Sequence, residues 1–410
     1  MNKIKILCVP SDKDGCGLHR SLSPHVKLDE LYSNEFDVTI EYNPNWEDVN
    51  NLKEYDIIHF HKGLYEDMDS FYKALDFCKQ NGITTVMDVD DHWETNQYHV
   101  QFKNKEYVRL NRMVKDNLSK VDYVTTTTPL FADRIRKFNP NVKIFVNALD
   151  PQQMGEMKVR SESDRLRFGL VMGTNHKHDM ELLRGLTNKL PKDILSKVQF
   201  VLCGFNTKGQ ITEIYPNGEI NTRDIHPFES PWFEYEKILT DGYKILSKDY
   251  INHLLRFMPN MQYPLVDSEP YKRCWTKDVA NYKYMEHYNN IDVLLVPLQD
   301  NEYNVCKSEL KFVEAGMMNV AVVASNVGPY SLNGVNFFEK GGNINNSGNC
   351  VLIENRKSHK DWAKTIEKFV KNPEYVTTLQ QNMHQYVVDK YDINKITAER
   401  AEWYKEICKK

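Results

Sequence analysis

The chain has 410 residues, 41% of them hydrophobic and 27% charged, which fits two or three folded domains and excludes a fibrous or disordered chain. No apolar run approaches the roughly 20 residues of a membrane-spanning helix; the longest are strand-length pieces such as 291–297. The formal charge of −4 divides into 19 basic against 24 acidic residues over 1–150 and 34 against 33 over the rest, so neither part has the strongly basic balance of a nucleic-acid coat.

The first residues alternate Lys with apolar side chains and lead directly into a polar loop, without the features of a signal peptide, so a cytoplasmic product is expected. Strand-like runs then occur at 4–10, 36–42, 55–60, 83–87, 121–126 and 142–146, separated by helix-like stretches at 18–32, 65–80, 102–118 and 129–137. Such alternation predicts a parallel sheet covered on both faces, an α/β doubly wound domain over 1–150. Residues 150–164 turn polar and read as an interdomain linker. A second domain is expected over 165–390, with strands at 166–172, 198–203, 291–297, 321–324 and 350–353 and helices at 178–188, 277–288, 308–317 and 361–370. Its series is interrupted at 205–279 by an aromatic-rich insertion, expected to be an ordered subdomain or lid with its own small cluster. Two helical stretches, 373–390 and 394–409, close the chain, and the terminal segment 391–410 is expected to pack back on the first domain. Two doubly wound domains in tandem place a ligand cleft between the carboxyl edges of their sheets.

Candidate functional residues gather where those edges would be. The first βα turn, Ser11 to Arg20, carries Gly15 and Gly17, which let the backbone approach a ligand, but Arg20 stands where a dinucleotide fingerprint needs a third glycine. Arg20 itself can contact an anion. The third strand ends in His59 and His61; His59 reads as a core residue and His61 as a cleft residue. After the fourth strand come Asp88, Asp90, Asp91 and Trp93, acids costly to cluster unless they position something, an acceptor hydroxyl being favoured over a metal. Lys105, Arg109 and Arg112 form a basic helical stripe that suits an anionic acceptor if it faces the cleft. In the second domain, Gly173, His176 and Lys177 sit at a helix start suited to phosphate. Lys307, Lys311 and Glu314 share one helix face beginning at Ser308. Cations at a helix start are unfavourable unless an anion binds there, and Glu314 can accept hydrogen bonds from vicinal hydroxyls. The eight cysteines are scattered, with no Cys-x-x-Cys pair and no spacing that cages zinc.

The Asp-Lys-x-Gly-x-Gly-x-x-Arg loop at 12–20, the Asp-Asp-x-Trp segment at 90–93, and Lys-Ser-x-Leu-Lys-x-x-Glu at 307–314 before Val-Val-Ala-Ser resemble glycosyltransferases of the two-Rossmann-domain GT-B kind, specifically retaining family four members, including phage-encoded and bacterial ones. The resemblance implies a nucleotide-sugar donor, a UDP-sugar, in the carboxy-terminal domain and an acceptor in the amino-terminal one. The acceptor classes it leaves open are glycans, proteins and hydroxymethylated DNA bases. It implies no cofactor and no metal, and a cytoplasmic site of action, a host's cytoplasm for a phage protein. Glu314 matches the second Glu of the family's Glu-x7-Glu signature; the first falls at Cys306, with Asn304 or Lys307 as substitutes. Gly15, Gly17 and His61 then lie near the transferred sugar, Gly173, His176, Lys177 and Ser308 near the diphosphate, and Arg20, Trp93, Lys105 and Arg109 on the acceptor side, with His61, Lys307, Lys311, Asp90 and Asp91 as the catalytic set. A chain that kept this fold and lost catalysis, a nucleotide-sugar-binding protein, is the competing reading.

Overall fold

The computed structural model describes residues 3–94, 96–98, 102–214, 220–226, 229–246, 248–260, 265, 269–355 and 358–408. Apolar runs in the first part form β1 (Ile4–Val9), β2 (Phe36–Ile40), β3 (Ile57–His61), β4 (Thr84–Asp88), β5 (Tyr123–Thr126) and β6 (Val142–Ile144). They make one parallel sheet in the order β2-β1-β3-β4-β5-β6. Every residue of β3 and β4 is buried, their histidines, threonines and Asp88 included, as strands of a parallel sheet covered on both faces are.

The second part contributes β7 (Leu166–Val171), β8 (Val198–Phe205), β9 (Gln210–Ile214), β10 (Ile220–Asp224), β11 (Tyr271–Trp275), β12 (Val293–Val296), β13 (Ala321–Ser325) and β14 (Val351–Ile353). Six of these form a second parallel sheet, β11-β8-β7-β12-β13-β14, while β9 and β10 pair as an antiparallel hairpin. Strand order reverses between β1 and β3 in one sheet and between β7 and β12 in the other. The loops leaving those four strands therefore open where a doubly wound sheet binds ligands.

Several segments depart from the sequence expectation. The presumed linker begins with a helix, Pro151–Glu156, because Asp150 caps it by accepting from the amides of Gln152 and Gln153 and a proline occupies its first turn. The helix expected over 178–188 is broken into short pieces at Gly185, whose φ of +85° ends one turn and starts another. The stretch expected as a helix over 277–288 is a 3-10 run, Ala280–Asn290, with left-handed backbone at Asn281 and Tyr282.

The insertion is expected from sequence to be an ordered subdomain or lid with its own aromatic cluster; part of its described aromatic content instead joins the core of the second half. Its described residues supply the β9–β10 hairpin, the helices Pro231–Thr240 and Lys248–Leu255, and β11, an edge strand of the second sheet. Trp232, Tyr235, Leu239 and Tyr271 join the same core as Phe168 and Phe200. The parts of the insertion at 215–219, 227–228, 247, 261–264 and 266–268, and the final residues 409–410, lie outside the described residues.

The last helix, Ile393–Ile407, returns to the first sheet. Ala401, Trp403, Tyr404 and Ile407 share a core with Ile6, Phe36, Ile57 and Val86. Its entry is pinned by Leu149, whose amide donates to the Tyr391 carbonyl at 3.1 Å and whose carbonyl accepts from the Ile393 amide at 3.0 Å. The polypeptide therefore passes between the two halves at two adjacent points.

Candidate active site

A cavity of about 580 Å³ lies between the two sheets, lined from the first half by Gly15, Cys16, His19, Arg20, Asp90 and Asp91. The β1 turn that forms its floor is built on Asp12, whose Oδ1 accepts from the amides of Asp14 and Gly17, each at 3.1 Å. Gly17 belongs to the turn's scaffold rather than the cavity lining: a Cβ there would lie 2.1 Å from the Asp12 carbonyl oxygen. Gly15 lines the cavity with φ of +44°, a left-handed backbone that a side chain would strain.

Asp90 is the best-held acid of this floor. It accepts from His61 Nε2 at 3.0 Å and from Lys62 Nζ at 2.9 Å. Burial opposes its charge, but Lys62 and His61 outweigh burial and hold the carboxyl well below the usual range. His61 is buried behind it, its Nδ1 2.6 Å from Ser11 Oγ, so Asp90 rather than His61 meets the cavity. Asp91 also lines the cavity and forms an ion pair across the cleft with Lys307 at 3.4 Å.

Arg20 reaches the lining but is a structural residue. Its guanidinium grips Asp88 with two bonds of 3.0 and 2.8 Å and donates to the Phe145 carbonyl and Asn147 Oδ1. Those bonds use the fork that an acceptor would otherwise engage. Asn147 in turn donates to Ser308 Oγ at 2.9 Å, carrying the network into the second half.

The opposite wall is made by the β7 and β12 loops and the helix Leu310–Met317. Gly173 and His176 line the cavity; His176 Nδ1 is 2.9 Å from Asp179 Oδ2. Asp179 Oδ1 accepts from the Gln299 amide and from Asn304 Nδ2, tying the two loops together. Asn304 is thereby committed to scaffolding and lies outside the main cavity's lining. The expected helix start moves from Ser308 to Leu310, with no side-chain cap at Glu309. Ser308, Lys307 and Lys311 surround that start on the cavity wall.

Glu314 is buried at 1% exposure but reaches the lining. Tyr284 donates to its Oε1 at 2.8 Å, and Tyr288 and Lys311 donate to Oε2, Lys311 at 2.6 Å. Burial would raise its pKa, yet the Lys311 charge and these hydrogen bonds bring it below the ordinary value. The Tyr284 hydroxyl also lies 3.0 Å from His19 Nε2, joining Glu314 to the β1 turn. Burial pushes the His19 imidazole down to about 4, which makes it a neutral partner at pH 7.

Other expected site residues lie elsewhere. Lys177 is exposed and outside the lining. Trp93 is buried in the first half's core, stacked on His92 and packed against Phe131, because its large apolar surface outweighs a place in the cleft. Lys105, Arg109 and Arg112 are exposed, away from the lining, and Arg109 already forms a bidentate bond to Glu106 one turn earlier. Sequence reading missed His19, Lys62, Asn147, Tyr284 and Tyr288. Tyr284 and Tyr288 lie in a 3-10 run, where an α-helical spacing gives no shared-face signal, and Asn147 follows β6 with no local signal.

No family model matches the chain, and no curated protein matches it. Among solved structures, sucrose-phosphate synthase from Thermosynechococcus elongatus superposes with a TM-score of 0.60 at 14% identity, covering 99% of each chain. Anabaena HepE, solved with UDP and glucose, gives 0.58 at 11% identity over 99% of this chain and 100% of that one. An alpha-glucosyltransferase, solved with UDP-glucose and DNA containing an abasic site, gives 0.56 at 12% identity over 98% of this chain and 99% of that one. The chain has the two-domain α/β fold of these glycosyltransferases, over essentially its full length.

Proposed function

We propose that the protein is a glycosyltransferase that moves a sugar from a nucleoside-diphosphate donor, a UDP-sugar, to an acceptor hydroxyl, with retention and without a metal cofactor. One observation carries this reading: an uncapped helix start at Leu310, flanked by Lys307 and Lys311, forms one wall of a cleft whose other wall is the Gly15 turn and Asp90. Amide groups and the dipole at that start favour an anion. Lys307 is held in its charged form: burial opposes it, but Asp91 and Tyr303 raise its pKa well above the ordinary value. A diphosphate seated there would meet two cations as its charge grows on bond cleavage, and donors aimed at developing charge stabilise a transition state more than the ground state.

The remaining residues fall into place around that leaving group. The ribose diol would share the free lone pairs of Glu314, since a carboxylate offers about four acceptor positions and three donors already occupy some of them. Asp90, kept ionised, faces the transferred sugar, while His61 and Lys62 fix its orientation. Support for the donor class comes from the like fold of proteins solved with UDP, glucose or UDP-glucose.

The test is nucleotide release from a panel of UDP, GDP, ADP and TDP sugars. Lys307→Ala is expected to lower kcat by about 100- to 1,000-fold with a smaller change in KM, the scale of losing one stabilising donor. Unchanged turnover in that variant would remove the leaving-group role, and turnover rising with added Mg2+ or Mn2+ would remove the metal-free one. Silence across the panel, with donor binding retained, would favour a non-catalytic binding protein.

The acceptor side has a second reading. The exposed stripe of Lys105, Arg109 and Arg112 offers positive charge to an anionic polymer, and a protein of like fold was solved with DNA. Duplex binding that falls steeply with salt would favour a modified base as acceptor over a glycan or protein hydroxyl.

A further inference from the structure

Fold rather than sequence spacing brings Cys203, Cys274 and His287 together. Cys203 on β8 and Cys274 on β11 are direct partners in the parallel register, so their thiols leave the sheet on one face. The Ala280–Asn290 run packs on that face through Met285 and Tyr288, and it delivers His287. One ligand atom from each of the three residues lies within 4.8 Å of the other two. His287 is 2% exposed, and neither Nδ1 nor Nε2 has a hydrogen-bonding nitrogen or oxygen beside it; the polar group next to the ring is the Cys274 thiol. An imidazole enclosed that way forfeits about 1–3 kcal/mol unless something binds it.

We propose that Cys203, Cys274 and His287 bind a single thiophilic divalent cation of the zinc class. Two thiolates and an imidazole are the soft donor set that such a cation selects, and the two thiolate charges balance its own. Tetrahedral bonds of roughly 2.0–2.3 Å place ligand atoms roughly 3.5 Å apart, which side-chain rotation reaches from the present spacing. The nearby cations do not compete for the site: Lys272 donates to Asn290 Oδ1 at 2.7 Å and Lys277 pairs with Glu286. His287 borders the active-site cavity, whereas Cys203 and Cys274 stand outside its lining.

The other groupings of such residues are already engaged. His25 uses both nitrogens on the Ser21 carbonyl and Tyr404 hydroxyl, Glu302 is held by Arg134, and Asp90 by His61 and Lys62. The site has a consequence for the wall it belongs to. A cation there would tie the edge strand β11 to the segment that carries Tyr284 and Tyr288 to Glu314, a structural role separate from bond cleavage.

The experiment uses the full chain, purified without chelator, assayed for metal by elemental mass spectrometry, then stripped and titrated with Co2+ alone. A single equivalent of zinc, and a thiolate-to-cobalt charge-transfer band with strong tetrahedral d–d absorption, are expected. His287→Gln and Cys274→Ser should each lose the band while keeping the circular dichroism of the folded chain. No zinc and no band would overturn the proposal. So would binding undiminished in both variants, which places the metal on other thiols, or a non-reducing thiol count two short, which makes the pair a disulfide. None of these results depends on donor turnover.

Discussion

His19 and His25 are both buried, and burial, the largest cause, pushes their imidazoles down to about 4 and about 3; the Arg400 charge adds to the effect on His25. Their unfolded pKa is near 6.5. Below that pH the unfolded chain binds protons that the folded chain refuses, so stability is fully present above about 6.5 and falls as pH drops toward the folded values. Each histidine contributes a slope of about 1.4 kcal/mol per pH unit in that interval. The expected outcome is a urea midpoint that drops steeply between about pH 6.5 and pH 5, before carboxylates titrate appreciably. A midpoint constant over that range would mean that both rings take up a proton in the folded protein as readily as in the unfolded chain. Arg20 makes the same point about burial with the opposite sign: its partner Asp88 keeps the charge inside, so the residue that resembled an anion contact has become part of the framework.

At the scale of the element, the helix Pro151–Glu156 tests capping. Asp150 accepts from two amides at its start and forms an ion pair with Lys27 at 3.2 Å. Asp150→Ala should cost about 1 kcal/mol in denaturant unfolding, whereas Asp150→Asn should cost less because an amide oxygen still caps. Equal losses in the two variants would assign the effect to the ion pair instead. The Asp-Pro signal for this helix was present in the sequence, but polar composition around it masked its apolar contribution, the fully buried Met154. Most strands of both sheets were legible because buried parallel strands must be apolar runs. β11 was not: Tyr-Lys-Arg-Cys-Trp mixes charge into an edge strand, and its Arg273 is accommodated by Glu236 and the Phe205 ring. The cleft loops were legible for a related reason, since glycines and clustered charges are costly there without a use. Trp93 and Asn304 were misplaced because core packing and loop bracing ask for the same residue types as ligand contact, and only the fold separates them.

On the scale of the whole molecule, the two halves are joined by more than the crossing points at Leu149 and Tyr391. Tyr282 donates to Ser23 Oγ at 2.7 Å, Asn147 to Ser308, and Arg134 to Glu302 at 2.8 Å, while Ile393–Ile407 belongs by sequence to the second half and by packing to the first. Of these, the Arg134–Glu302 pair is partly exposed, at 28% and 54%, and water screens it, so Glu302→Ala should change stability by under about 1 kcal/mol. The terminal helix is a different matter. Trp403 packs edge-on against Tyr123 and Phe145, Tyr404 bonds His25, and Thr84 donates to the Ile407 carbonyl at 3.0 Å. Ending the chain at 391 would strip an apolar face from the first sheet and leave His25 Nε2 without its partner. Burial of that face is shared between distant parts of the chain, so the intact protein should unfold in one calorimetric transition and the shortened one in two, the first half melting earlier. A single, unshifted transition in the shortened chain would show that the first half holds its own core without the helix.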